Sequence, residues 1–148
     1  MDPVKNRKAF FDYDILETLE VGVVLHGHEV KSVRQGGLSL KDSYVIIKDE
    51  EFFLLNASIA RYKHMSEQEY DPNRTRKLLA SKKQIVSWAS KVKQANLTIV
   101  PLKAYPKGRN IKMEIGLGRG KKKYEKKEAV KKRELDRQLH REKRELMV

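Results

Sequence analysis

Cysteine is absent from the sequence. Disulfides and thiolate metal sites are therefore excluded, and a reducing cytosol is the compartment that fits. No apolar run approaches the length of a membrane span, and Met1-Asp2-Pro3-Val4-Lys5 has none of the features of a signal peptide. Glu20, Asp42 and Glu114 have no nucleophile–base arrangement beside them, which argues against an enzyme. His26-x-His28-Glu29 has part of a metal-site spacing but no third ligand cluster, so neither a metal nor a cofactor is expected.

What the chain has in excess is positive charge. Its 33 Lys and Arg stand against 20 Asp and Glu, a net charge of +13 over 148 residues. Such a field attracts polyanions, either nucleic acid or an anionic surface. More than half of the excess lies in residues 119–148, which hold 13 Lys and Arg against 6 Asp and Glu.

The chain turns on the stretch Gly116–Lys127. Gly116, Gly118 and Gly120 alternate, then come Lys121, Lys122 and Lys123, then Tyr124. One reading is a backbone able to pass close to a phosphate chain, followed by cations and a ring that can stack on a base. The alternative is a Gly-rich strand end followed by a solvated lysine run.

Before that stretch the pattern is strand-rich. Residues 1–12 are expected to be a flexible, frayed N-terminus with Phe10 and Phe11 docking on the body. From Tyr13 the odd positions are apolar except Glu17, which predicts a long half-buried strand, and Gly22 suggests a bulge or bend within it. Glu29–Gln35 predicts one or two helical turns with Lys31 and Arg34 outward. Ser43–Lys48 and Glu51–Ser58 predict a hairpin turning at Asp49-Glu50. Residues 60–76 are polar and irregular. Ser81 and Gln84 form a capping box for a helix with Ile85, Trp88, Ala89 and Val92 on one face, ending at Asn96. A strand over Leu97–Tyr105 is interrupted by Pro101, which belongs at an edge or bulge. Pro106-Lys107-Gly108 is a turn, and Ile111, Met113, Ile115 and Leu117 alternate after it. The tyrosines and Trp88 are read as core more readily than as stacking platforms. The expected architecture is mainly β: a small OB-like closed antiparallel β-barrel over 13–120 with short helical additions.

Residues 121–148 contain neither Gly nor Pro. They favour helix by propensity, but the stripe of Leu135, Leu139 and Leu146 is too narrow to bury much area. Ordering each residue costs about 1–2 kcal/mol of backbone entropy, so a basic C-terminal tail disordered in solution and helical on a partner is expected.

Four stretches together resemble a known family. Gly27-x-Glu29-Val30-Lys31-Ser32-Val33-Arg34-x-Gly36, Leu40-Lys41-Asp42-Ser43-Tyr44-Val45, Asp71-Pro72-x-Arg74-x-Arg76-Lys77-Leu78-Leu79 and Gly118-x-Gly120-Lys121-Lys122 are similar, in that order, to the signature of the small protein B family of bacterial trans-translation. The similarity runs from about Asn6 to the C-terminus. The resemblance implies an OB-type barrel that binds the tRNA-like domain of tmRNA and delivers it to stalled ribosomes for peptide tagging. It implies a non-enzymatic, monomeric, cytoplasmic protein with small-subunit rRNA and an elongation factor Tu complex as further partners. Carried onto this chain, Glu20, Leu79 and Ser81 match positions implicated in tmRNA binding. The Gly-Lys-Lys motif falls on Gly120, Lys121 and Lys122. The ring facing the decoding centre falls on Tyr124. The family's Asp-Lys-Arg is Glu125-Lys126-Lys127 here, which keeps charge but loses the bidentate grip of Arg. Lys31, Arg34, Lys41, Arg74 and Arg76 are candidate phosphate contacts on one basic face. A generic structured-RNA-binding OB protein of the ribosome or initiation machinery, and an RNA-processing enzyme, are the competing classes.

Overall fold

The computed structural model describes residues 1–66 and 69–121, together with Glu134 and Arg137. In chain order the elements are β1 (Val4–Lys5), α1 (Arg7–Asp12), β2 (Tyr13–Val23), α2 (Gly27–Arg34), β3 (Leu38–Ser39), β4 (Tyr44–Lys48), β5 (Glu51–Leu55), β6 (Ser58–Ile59), β7 (Arg76–Leu79), α3 (Lys82–Ala95), β8 (Thr98–Lys107) and β9 (Asn110–Gly120). The protein is mainly β, and the strand pairings are antiparallel. Seven strands form one sheet in the order β1-β8-β4-β5-β7-β2-β9, and β9 pairs again with β8. β3 and β6 form a separate two-stranded sheet.

The locally encoded elements form as the sequence predicts. Ser81 Oγ accepts from the Gln84 amide at 3.3 Å and caps α3, and Asn96 ends it in the left-handed region at φ 52°. The helix buries Ile85 and Trp88, and Trp88 meets Phe52 edge-on in the main core. The β4–β5 hairpin turns at Asp49 and Glu50, both at positive φ as a two-residue hairpin loop requires. Pro101 lies at a register shift between β8 and β9, as expected of a residue with no amide proton.

β2 departs from its even alternation. The bulge falls between Ile15 and Glu17, not at Gly22, and leaves Leu16 58% exposed. The extra residue reverses the facing of the strand. Tyr13 and Ile15 pack with Ala9, Val100 and Leu102 under α1, whereas Leu19, Val21 and Val23 belong to the main core. β8 is therefore buried on both sides, with Ile99 and Ala104 in the main core and Val100 and Leu102 in the smaller cluster.

That second layer corrects the expectation of a frayed N-terminus. β1 pairs with β8, the Asn6 amide donates to Leu102 O at 2.8 Å, and Asn6 Nδ2 donates to Pro101 O at 2.8 Å. Asn6 also caps α1, whose Ala9 completes the cluster. Phe10 does not dock as expected and is 51% exposed.

Candidate nucleic-acid interface

The first predicted cations to place are those of the Arg74-x-Arg76 motif, and they do not face solvent as a pair. Glu29 sits in the first turn of α2 and, like Arg76, is fully buried. Arg76 donates to Glu29 Oε2 from Nε at 3.1 Å and from Nη2 at 2.6 Å, and its Nη1 donates to Ala57 O and Pro72 O. Arg74 Nη2 reaches Glu29 Oε1 at 2.5 Å, and the Tyr70 hydroxyl lies 3.1 Å from Oε2. Burial alone would raise the Glu29 carboxyl, but hydrogen bonds from Arg74, the His26 amide and Arg76 hold it down at about 2. Arg76 is the correction to the sequence reading. With its side chain inaccessible it presents no donor to a phosphate; it ties β7 and the preceding loop to α2. Arg74, one-third exposed, serves the same network.

The glycines of the Gly116–Gly120 run are corrected in the same way. A methyl group on Gly116 would lie 2.8 Å from Leu102 Cδ1, and one on Gly118 would lie 3.0 Å from Tyr13 Cβ. Their missing side chains make room for the smaller cluster rather than for a phosphate chain. A methyl group on Gly120, alone of the three, would meet nothing within 4 Å. Lys121 follows it and donates from its amide to Asp12 O at 2.9 Å and from Nζ to Phe10 O at 3.2 Å. Lys122, Tyr124, Glu125, Lys126 and Lys127 lie outside the described residues, as does the expected helix of the tail apart from Glu134 and Arg137.

The remaining candidates divide. Glu20, on β2, and Leu79, on β7, are both exposed and share one sheet face. The register sets this face out in two rows. Leu79, Gly22, Lys112 and Tyr105 are successive cross-strand partners, and Glu20, Glu114 and Lys103 are the next row. Both Glu20 oxygens are taken: the Tyr105 hydroxyl donates to Oε2, and Lys107 Nζ donates to Oε1 at 3.0 Å. These two hydrogen bonds lower the Glu20 carboxyl. Burial, then the bond to Glu20, pushes the Tyr105 phenol up to about 12, so it stays a neutral donor. Lys103 Nζ lies 5.6 Å from the centroid of the Tyr105 ring and 3.7 Å from Glu114 Oε2.

Arg34 reaches the β8–β9 turn, with Nη2 3.4 Å from Gly108 O. Lys31, one turn earlier on α2, holds Nζ 5.5 Å from the centroid of the Tyr62 ring. Lys41 is exposed in the turn before β4, beside an Asp42 that accepts from Lys8 on α1 at 2.5 Å. Ser81 is exposed, two residues beyond Leu79, and its hydroxyl is engaged in the cap.

Sequence reasoning passed over Lys103, Tyr105, Lys107 and Lys112. Tyr105 was expected in the core. The signal was present: Lys103-x-Tyr105-x-Lys107 puts two cations and a ring on one face of a strand. Taken together, the face offers a partly exposed ring, three lysines, an apolar side chain and two carboxylates already engaged with cations or a phenol. Such a surface suits stacking and phosphate contact with a folded RNA.

Known proteins are similar to this chain over most of its length. The family model described as SmpB protein matches residues 3–145. The chain is 52% identical over 134 residues to an SsrA-binding protein of Sulfurihydrogenibium sp. (strain YO3AOP1), covering 90% of this chain and 88% of that one. It is 50% identical over 135 residues to an SsrA-binding protein of Thermosipho melanesiensis, covering 90% and 92%. It is also similar to a solved structure described as "tmRNA-SmpB: a journey to the center of the bacterial ribosome", with TM-score 0.69, 46% identity, and 86% of this chain and 94% of the other covered.

Proposed function

The chain belongs to the SmpB family, and from that premise we propose that it binds the tRNA-like domain of tmRNA and delivers it to stalled ribosomes for trans-translation. One observation carries the reading to this chain. Glu20 and Leu79, at positions the family resemblance assigns to tmRNA, lie in adjacent rows of one exposed face together with Lys103, Tyr105 and Lys112. The protein acts by binding rather than by catalysis, as a cytoplasmic monomer. The ring of pairings from β2 through β9, β8, β4, β5 and β7 is read as a closed OB-like barrel with that face on its outside. The tail beyond Lys121 occupies the decoding centre and the empty mRNA channel, with Tyr124 at its base, and elongation factor Tu accompanies the complex.

Recovery of the protein from a bacterial lysate, followed by sequencing of the bound RNA, tests the proposal. Enrichment of tmRNA over other structured RNAs supports it. Recovery of ribosomal and transfer RNAs in proportion to their abundance, without enriched tmRNA, replaces it with a general structured-RNA binder.

A further inference from the structure

We propose that Tyr105 is a stacking platform for an unpaired base of the bound RNA, and that Glu20 is its positioning residue rather than an RNA contact. The inference rests on the reading of the β2–β9–β8 face as the tmRNA surface.

A carboxylate on an RNA-binding face opposes the phosphates around it. Here neither Glu20 oxygen is left without a protein donor, because the Tyr105 hydroxyl holds one and Lys107 Nζ the other. The carboxylate thus spans from β2 across β9 to β8 and fixes the two side chains that flank Pro106. The phenol, tethered at its hydroxyl, loses freedom about both of its side-chain torsions. An aromatic ring fixed before binding has less entropy to lose when a base stacks on it. Lys103 and Lys107, two residues to either side on the same strand face, supply cations for the phosphates next to that base. Glu114 holds Lys103 on the ring side. The ligand class this fits is a looped-out or single-stranded nucleotide within a folded RNA, since stacking needs a base released from its helix.

The test is affinity for the tRNA-like domain of tmRNA, measured with the full chain over a range of salt. Tyr105→Leu is expected to weaken binding by about 5- to 150-fold, the range seen when one base–aromatic stack is lost, with the salt slope unchanged because no charge is removed. In a Lys107→Ala background, where the phenol is the one of its two partners left to Glu20, Glu20→Ala is expected to weaken binding but to add almost nothing once Tyr105→Leu is present, because Glu20 then acts through the ring. Equal losses from Glu20→Ala with and without Tyr105→Leu would make Glu20 a direct contact and overturn its positioning role. Tyr105→Trp supplies a readout independent of stability, with indole emission quenched on adding the RNA. Should Tyr105→Leu fail to fold, the Trp variant and the same Glu20→Ala comparison on Tyr105→Phe decide the matter. Selective tmRNA binding by wild type, with Tyr105→Leu within about twofold of it, overturns the stacking role and leaves the proposed function standing. A wild-type protein without selectivity overturns both.

Discussion

Arg76 and Glu29 are 47 positions apart in sequence and meet in the interior through two hydrogen bonds, each side chain wholly inaccessible. Removing Glu29 strands the Arg76 charge away from water, so Glu29→Ala is expected to cost about 3–5 kcal/mol in urea unfolding. Arg76→Met should cost less, because Glu29 keeps Arg74, the His26 amide and the Tyr70 hydroxyl. Loss of tmRNA affinity in such variants should follow loss of fold, and refolded or ligand-stabilised protein should recover it.

The same pair sets the acid response. The Glu29 carboxyl stands at about 2 in the folded protein against an ordinary 4.5. A lowered folded value contributes stability that is complete above pH 4.5 and is lost as the pH falls toward 2, by about 3 kcal/mol in all. Glu29→Gln should be less stable at neutral pH and should lack this part of the acid slope. An identical slope in the variant, followed by circular dichroism, would contradict the assignment.

How much of this was legible in the sequence depends on how local the cause is. Ser81, Gln84 and Asn96 lie within one helix, so capping chemistry alone places both ends of α3. Ile111, Met113, Ile115 and Leu117 alternate on one strand and are all buried. The bulge at Leu16 was hidden because the odd positions stay apolar on both sides of it, while Ile15 and Leu19 belong to different clusters. Arg76 misled because a charged residue is buried only where a distant partner waits, and Glu29 is that partner. Tyr105 misled because rings favour cores, whereas its hydroxyl partner is Glu20, on another strand 85 positions away.

The two kinds of glycine at the end of β9 separate by substitution. Gly116→Ala would bring a methyl to 2.8 Å from Leu102 Cδ1 and 3.1 Å from Ile15 Cγ2. Overpacking of this kind costs about 1–3 kcal/mol. Gly120→Ala meets nothing within 4 Å and should leave the melting midpoint close to wild type. Equal tolerance of both changes would contradict the packing role of Gly116.

Ser81→Ala removes the cap of α3 and is expected to cost about 1 kcal/mol of stability. Because the hydroxyl is already engaged with Gln84, tmRNA affinity should hardly change. A large affinity loss at constant stability would assign the hydroxyl to the RNA instead.

Counterion release distinguishes the lysines that meet phosphate. Lys107→Ala and Lys112→Ala should each reduce the magnitude of the salt slope of tmRNA binding by about 0.7–0.9. Arg76→Met, measured where it is folded, should leave the slope unchanged. A reduced slope for Arg76 and unchanged slopes for both lysines would place the interface elsewhere.

The central claim is selective recognition of tmRNA, and competition binding tests it most directly. The protein, bound to a labelled tRNA-like domain, is challenged with the same RNA unlabelled and with an equally long fragment of ribosomal RNA. The account predicts that the tRNA-like domain competes at least about tenfold better, a difference of about 1.4 kcal/mol. Equal competition by the ribosomal fragment would contradict it.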